Sequence, residues 1–237
     1  NQALWDAPTK VLARGEPDPH LLLTTQLAPE LVNVQQELIL VSAYFVPGEE
    51  GLHYLTGRAD AGVAVSLLTN SLEATDVPAV HGGYAPYRQE LLEHGVKLFE
   101  LRRQPGDPGS GGGSGPHLFS SKGTFGGGSD SSLHSKAMIF DRKKSFVGSF
   151  NFDPRSVLWN TEVGVLVDSP QLTEKLRELA LQGMAPDLSY QAKLQDGHVV
   201  WVTEDDGKLH TLHKEPGDTW RRFNAWFSRA VGLEKML

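Results

Sequence analysis

Cysteine is absent from the 237 residues, so this chain can build neither a disulfide nor a thiolate nucleophile. Long apolar runs are also missing; none approaches the ~20 residues that a membrane-crossing helix needs. An excess of basic charge is lacking too. The formal net charge is −7, which weighs against general nucleic-acid binding, so no nucleic acid is expected as a partner. The basic residues present fall in short runs: Arg102-Arg103, Arg142-Lys143-Lys144 and Arg221-Arg222. Each reads as a solvated turn or helix face, with contact to anionic headgroups or phosphate as the functional reading. Hydrophobic residues make up 39% of the chain, enough for a core, and the length suits one domain, 1–237.

One stretch carries most of the chemical information, Leu133–Asn151, reading LHSKAMIFDRKKSFVGSFN. Residues i and i+2 of a strand share a face. A strand over Leu133–Asp141 puts His134 and Lys136 side by side. Asp141-Arg142-Lys143-Lys144 reads as a tight turn, and a second strand over Ser145–Asn151 aligns Ser149 with Asn151. Gly148 lets a ligand or a neighbouring backbone come close. Together these residues supply what a phosphodiester site needs. Lys136, Ser149 and Asn151 offer a positive charge and hydrogen-bond donors to non-bridging phosphate oxygens. His134 can serve as nucleophile or as general acid near neutral pH. A third strand, Glu162–Asp168, would bring the Glu162 carboxylate behind His134, to fix its tautomer and stabilise an imidazolium.

The rest of the chain reads as an α/β domain, a mixed β-sheet flanked by helices. An irregular segment, 1–28, leads to a helix near Pro29–Gln36. Strands at Glu37–Phe45 and Val63–Thr69 enclose a helix at Gly51–Ala61, a parallel β-α-β unit whose C-terminal strand ends are the usual place for ligands. A helix over Ala79–His94 and a strand over Val96–Leu101 follow. Residues 103–132 are rich in Gly and Ser and read as a flexible loop at the edge of the site, with His117 and Lys122 in solvent. Ser169-Pro170 starts a helix that ends near Gln182-Gly183. Residues 185–215 form a small antiparallel β-meander with a turn at Asp206-Gly207. Residues 219–237 read as an amphipathic helix with Trp220, Phe223 and Phe227 on one stripe, able to cover the core or lie on a membrane.

The spacing His134-x-Lys136, Asp141, Gly148-Ser149-x-Asn151 resembles the signature of the phospholipase D superfamily without a gap. Asn151-Phe152-Asp153-Pro154-Arg155-Ser156 through Glu162, Ala43-Tyr44-Phe45-Val46-Pro47 and the run from Val80-His81 through Tyr84, Tyr87 and Arg88 to Gly95-Val96 are similar to its bacterial cardiolipin-synthase branch. The resemblance spans about Val32–Asp168. It implies a phospholipase D-like lobe in which one histidine attacks phosphorus and a second, from another motif, protonates the leaving alcohol. His134, Lys136, Asp141 and Glu162 form the implied catalytic set, with Asp141 a hydrogen-bonding residue more than a proton carrier. Lys136, Ser149 and Asn151 hold the phosphate. Tyr44, Phe45, Asn70, His81 and Tyr84 are the expected lining of a substrate pocket. No metal and no cofactor are implied. A phospholipid substrate such as phosphatidylglycerol, a membrane surface and a peripheral place at the bacterial cytoplasmic membrane are.

The branch carries two such motifs and this chain has one. Two arrangements are expected to supply the second: the N-terminal half of a longer two-lobed protein, the favoured one, or a homodimer mate. The expected activity is phosphatidyl transfer through a phosphohistidine. The rivals are a phospholipase D hydrolase, a homodimeric phosphodiesterase or nuclease, and an inert lipid-binding half-lobe.

Overall fold

The computed structural model describes residues 1–6, 22–103 and 133–219. The expected loop (103–132) and C-terminal helix (219–237) lie outside them except for Arg103 and Thr219, as does most of 1–28.

The centre is the β-α-β pattern foreseen from sequence. Strand β2 (Glu37–Val41) is apolar at four successive buried positions, helix α2 (Gly48–Asp60) follows, and strand β3 (Ala64–Asn70) returns parallel to it, Leu38 opposite Val65 and Val41 opposite Leu68. A second parallel step reaches strand β4 (Lys97–Leu101). On the other side of β2, strand β5 (Ala137–Phe140) runs antiparallel and forms a hairpin with β6 (Lys144–Gly148), followed outward by β7 (Val163–Asp168) and β1 (Gln2–Trp5). Helix α1 (Leu23–Asn33) packs against the same core, and α6 (Pro170–Gly183), capped by the Ser169 hydroxyl at its N-terminus, crosses the opposite face. Alternation along the strands splits the apolar residues accordingly. Leu38, Leu40, Met138 and Phe140 face α1 and α2; Ile39, Val41 and Ile139 face α6.

Four expectations change. The C-terminal meander, β8 (Ser189–Gln195), β9 (His198–Asp205) and β10 (Lys208–Leu212), is no separate excursion. β8 pairs with β4, and one ten-stranded sheet runs β1-β7-β6-β5-β2-β3-β4-β8-β9-β10. Helix α1 starts six residues before Pro29, because the buried Asp6 carboxylate accepts the Leu23 N–H at 2.7 Å and so satisfies its first turn from a distant part of the chain. The helix expected over 79–94 is broken into α3 (Pro78–Tyr84), a 3-10 turn (Ala85–Tyr87) and α4 (Arg88–Glu93), with Pro86, which has no N–H to give, at the break. The hairpin strands are shorter than expected. His134 and Lys136 precede β5, and Ser149 and Asn151 follow β6.

Candidate functional site

The register places the chemical residues at one end of the sheet. β2, β3 and β4 end there, β5 begins there, β6 ends there and β7 begins there. His134 and Lys136 lie on the segment entering β5, Ser149 and Asn151 on the segment leaving β6, and Glu162 just before β7. This is the C-terminal end of the parallel strands, the common ligand side of such sheets.

Each side chain is held by its neighbours. Lys136 is 8% exposed, and its Nζ donates to the His134 carbonyl at 2.7 Å. Burial pushes its ammonium below the ordinary lysine value, against the pull of Glu162, Asp76 and Asp153. Asn151 is buried, and its Oδ1 accepts the Tyr44 N–H at 3.3 Å. That bond orients the amide, so its NH2 points away from Tyr44. The chain beyond Asn151 is clamped to the segment after β2: Val46 N–H donates to the Phe152 carbonyl at 2.8 Å, and Phe152 N–H donates to Ser42 Oγ at 3.0 Å. Asp153 then caps the short helix α5 (Pro154–Leu158), accepting the Ser156 N–H at 2.7 Å. Burial raises the Asp153 carboxyl above its ordinary value.

Gly148 and Gly164 face one another across β6 and β7. A Cβ at Gly148 would lie 2.4 Å from the Val163 carbonyl oxygen, and one at Gly164 would lie 2.3 Å from the Phe146 ring. The close approach at Gly148 is therefore to neighbouring backbone and brings Ser149 against β7.

Three site expectations need correction. Glu162 was expected behind His134; instead its carboxylate accepts a hydrogen bond from Ser149 Oγ, and among the described residues no hydrogen bond joins it to His134. Ser149 Oγ also accepts the Val163 N–H at 3.1 Å, so its proton is directed to Glu162 rather than toward a ligand. Asp141 has the hydrogen-bonding character expected of it but no place in the catalytic set: it lies at the opposite end of β5, about seven extended residues or ~23 Å of chain from His134. It accepts N–H bonds from Gln35, Gln36 and Glu37 at 2.7–3.2 Å. Burial would raise its carboxyl, but these donors outweigh it and hold it below the ordinary value. Asp141 closes the β5–β6 turn onto the start of β2 and touches none of the other site residues.

The five residues expected to line a pocket do not surround an open one. Phe45, Asn70, His81 and Tyr84 are nearly or fully buried and enclose a cavity of about 10 Å³ beneath the site. Phe45 packs edge-on to Tyr84 and stacks on Phe152, with ring centroids 5.4 and 5.5 Å apart. His81 Nε2 lies 2.6 Å from Glu215 and 2.9 Å from Arg88. Of the five, Tyr44 alone reaches outward; its hydroxyl donates to Asp76 at 2.9 Å. The open cleft lies elsewhere. A cavity of about 330 Å³ runs beside His134 and Lys136, walled by Val41, Val147, Leu176 and Leu179.

Sequence reading also missed Arg88, which joins Glu100 at 2.8 Å and Glu215 at 2.6 Å under the sheet end, with its guanidinium against the rings of Tyr84 and Trp201. His81, Glu100 and Glu215 bring ligand atoms within 4.8 Å of one another. The Arg88 guanidinium already supplies the positive charge there, so this group does not suit a metal ion. In two of the basic runs, cations are paired: Arg102 with Asp205, Arg142 with Glu37 and Lys144 with Glu30; Arg221-Arg222 lies outside the described residues.

Residues 27–182 match the family described as cardiolipin synthase, PLD-like domain. The chain is 36% identical over 236 residues to cardiolipin synthase C of Escherichia coli K12, covering 99% of this chain and 47% of that protein, about half its length. In fold it is similar to Nuc from Salmonella typhimurium, described as a phospholipase D family member, with a TM-score of 0.55, 14% identity, and coverage of 81% of this chain and 97% of that one. NucT from Helicobacter pylori is similar at a TM-score of 0.52 and 14% identity, over 77% of this chain and 93% of its own.

Proposed function

Because this chain belongs to the cardiolipin synthase, PLD-like domain family, we propose that it supplies one of two half-sites of a phosphatidyltransferase that works at the surface of a bacterial membrane. The observation that carries this reading is the convergence of His134, Lys136 and Asn151 at one sheet end beside an apolar cleft. In this reading one histidine of the pair, His134 or its counterpart, attacks phosphorus. A P–N bond forms and a P–O bond breaks, and the leaving alkoxide takes a proton from the other histidine. That histidine then removes the proton of the incoming alcohol, whose oxygen displaces the first histidine and leaves the phosphatidyl group on a new alcohol. Lys136 Nζ and the Asn151 amide stabilise the charge on the non-bridging oxygens. Ser149 and Glu162 act behind Lys136 as a hydrogen-bonded counter-charge. The cleft walled by Val41, Val147, Leu176 and Leu179 accommodates the apolar part of a glycerolipid.

Among the described residues no helix is long and apolar enough to cross a membrane. The second histidine comes from another lobe, either of the same protein or of a second copy. That 99% of this chain matches 47% of a relative about twice as long supports the former. The test is incubation of the complete protein with phosphatidylglycerol vesicles, followed by lipid mass spectrometry. Cardiolipin and released glycerol are expected. Phosphatidic acid alone would make the protein a hydrolase, and no consumption of lipid would overturn the reading.

A further inference from the structure

Asn70 closes β3 at the site end of the sheet, 3% exposed, with its amide wholly engaged by the backbone of two other segments. Nδ2 donates to the carbonyls of Leu133 at 3.0 Å and Ala43 at 3.1 Å, and Oδ1 accepts the Leu133 N–H at 2.8 Å. Leu133 is thus gripped at both its N–H and its C=O, and it is the residue before His134. Its own side chain is 1% exposed in the core under α6, so it is held on two sides. Ala43 is the residue before Tyr44, whose N–H is the partner of Asn151 Oδ1. One buried amide therefore fixes the histidine-bearing segment relative to the segment that orients the phosphate-holding asparagine.

We propose that Asn70 is a positioning residue for the reaction, setting the place of His134 relative to Asn151 without touching substrate; this rests on the phosphatidyl-transfer reading above. The chemistry of the three bonds restricts what can replace it. Aspartate keeps the acceptor for Leu133 N–H but sets a carboxylate against two carbonyl oxygens. Alanine leaves three buried backbone groups unpaired. Serine keeps a single hydroxyl that satisfies one of them. Misplacement of a reacting group by about 1 Å costs on the order of 100-fold in rate.

The experiment compares Asn70→Ala, Asn70→Asp and Asn70→Ser in the complete protein, with Val96→Ala, a core substitution on the approach to β4, as a control for loss of stability. Turnover per folded molecule should fall about 10- to 100-fold for alanine and aspartate, with the phospholipid KM within about twofold and serine intermediate. Val96→Ala should lower Tm and leave kcat per folded molecule unchanged. The imidazole resonances of His134, assigned with His134→Gln in nitrogen-15 histidine spectra, should shift in the Asn70 variants and not in the control. Wild-type kcat and an unshifted His134 signal in Asn70→Asp would overturn the proposal. Shifted His134 signals in the Asn70 variants, beside a wild-type protein that transfers no phosphatidyl group, would instead sink the functional reading and leave the positioning role in place.

Discussion

Lys136 shows how one residue's surroundings set its chemistry. Taken out of water, its ammonium is less favoured than on a free lysine, and three carboxylates only partly restore it. If phosphate is held by that charge, activity should decline on the alkaline side before pH reaches the ordinary lysine value of ~10.4. Lys136→Arg should move that decline upward while lowering kcat, because a planar guanidinium does not reproduce a compact ammonium. A pH profile of kcat for the two proteins checks both parts. Asp141 makes the opposite case, a motif residue whose work is structural. Its carboxylate is held below the unfolded value of ~3.9, so its contribution is full above that pH and disappears as pH falls through the folded value. Asp141→Ala should cost about 2 kcal/mol, flatten the acid limb of the stability curve, and leave kcat per folded molecule within about threefold. Denaturant melts from pH 2 to 7 decide it. The motif spacing made His134, Lys136 and Asn151 legible because the β5–β6 hairpin brings the segments flanking its two strands together. It could not show that Ser149, rather than His134, would meet Glu162, 13 residues on, nor that Asp141 would reach Gln35–Glu37, whose Gln36 lies 105 residues back.

The elements were legible where a pattern is local and not where a partner is remote. The parallel β2-α2-β3 unit, the β5–β6 hairpin and the Ser169 cap all follow from periodicity and turn chemistry within a few residues. The start of α1 did not, because the partner of its first N–H is Asp6, 17 residues upstream and just past the end of β1. The pairing of β6 and β7 depends on two glycines that leave room for Phe146. Gly164→Ala should destabilise the domain by about 1–3 kcal/mol, the usual cost of overpacking. Adding Phe146→Leu should recover part of that loss, giving a non-additive double-mutant cycle. Thermal melts of the two single variants and the double variant measure the coupling; strict additivity would mean that the ring and the glycine do not meet.

At the scale of the whole molecule, the described residues form one continuous layer of ten strands, and the meander belongs to it through β4 and β8. The meander was legible over 185–215 but its pairing to β4 was not, because β4 and β8 are separated by the Gly/Ser segment, the hairpin and α6. What locks this wing to the site end is Arg88, shared by Glu100 and Glu215. Burial would raise the Glu215 carboxyl, but Arg88 and His81 bring it down to about 2. Its stabilising contribution is therefore present above the unfolded value of ~4.3 and lost between there and about 2. Arg88→Met, which leaves two carboxylates without their cation, should cost about 3–5 kcal/mol. Glu215→Gln should speed hydrogen exchange over Lys208–Thr219 and leave β2 and β3 protected. Uniform exchange across the sheet in that variant would mean that the wing is not separately latched.

The central claim is that this lobe contributes a reacting histidine to phosphatidyl transfer. The most direct measurement is the rate at which the complete protein converts phosphatidylglycerol, compared with His134→Ala at matched folding by circular dichroism. Removal of a group that forms or protonates the phosphorus bond should lower kcat by at least about 1,000-fold. A His134→Ala protein that retains a tenth or more of wild-type kcat would contradict the account.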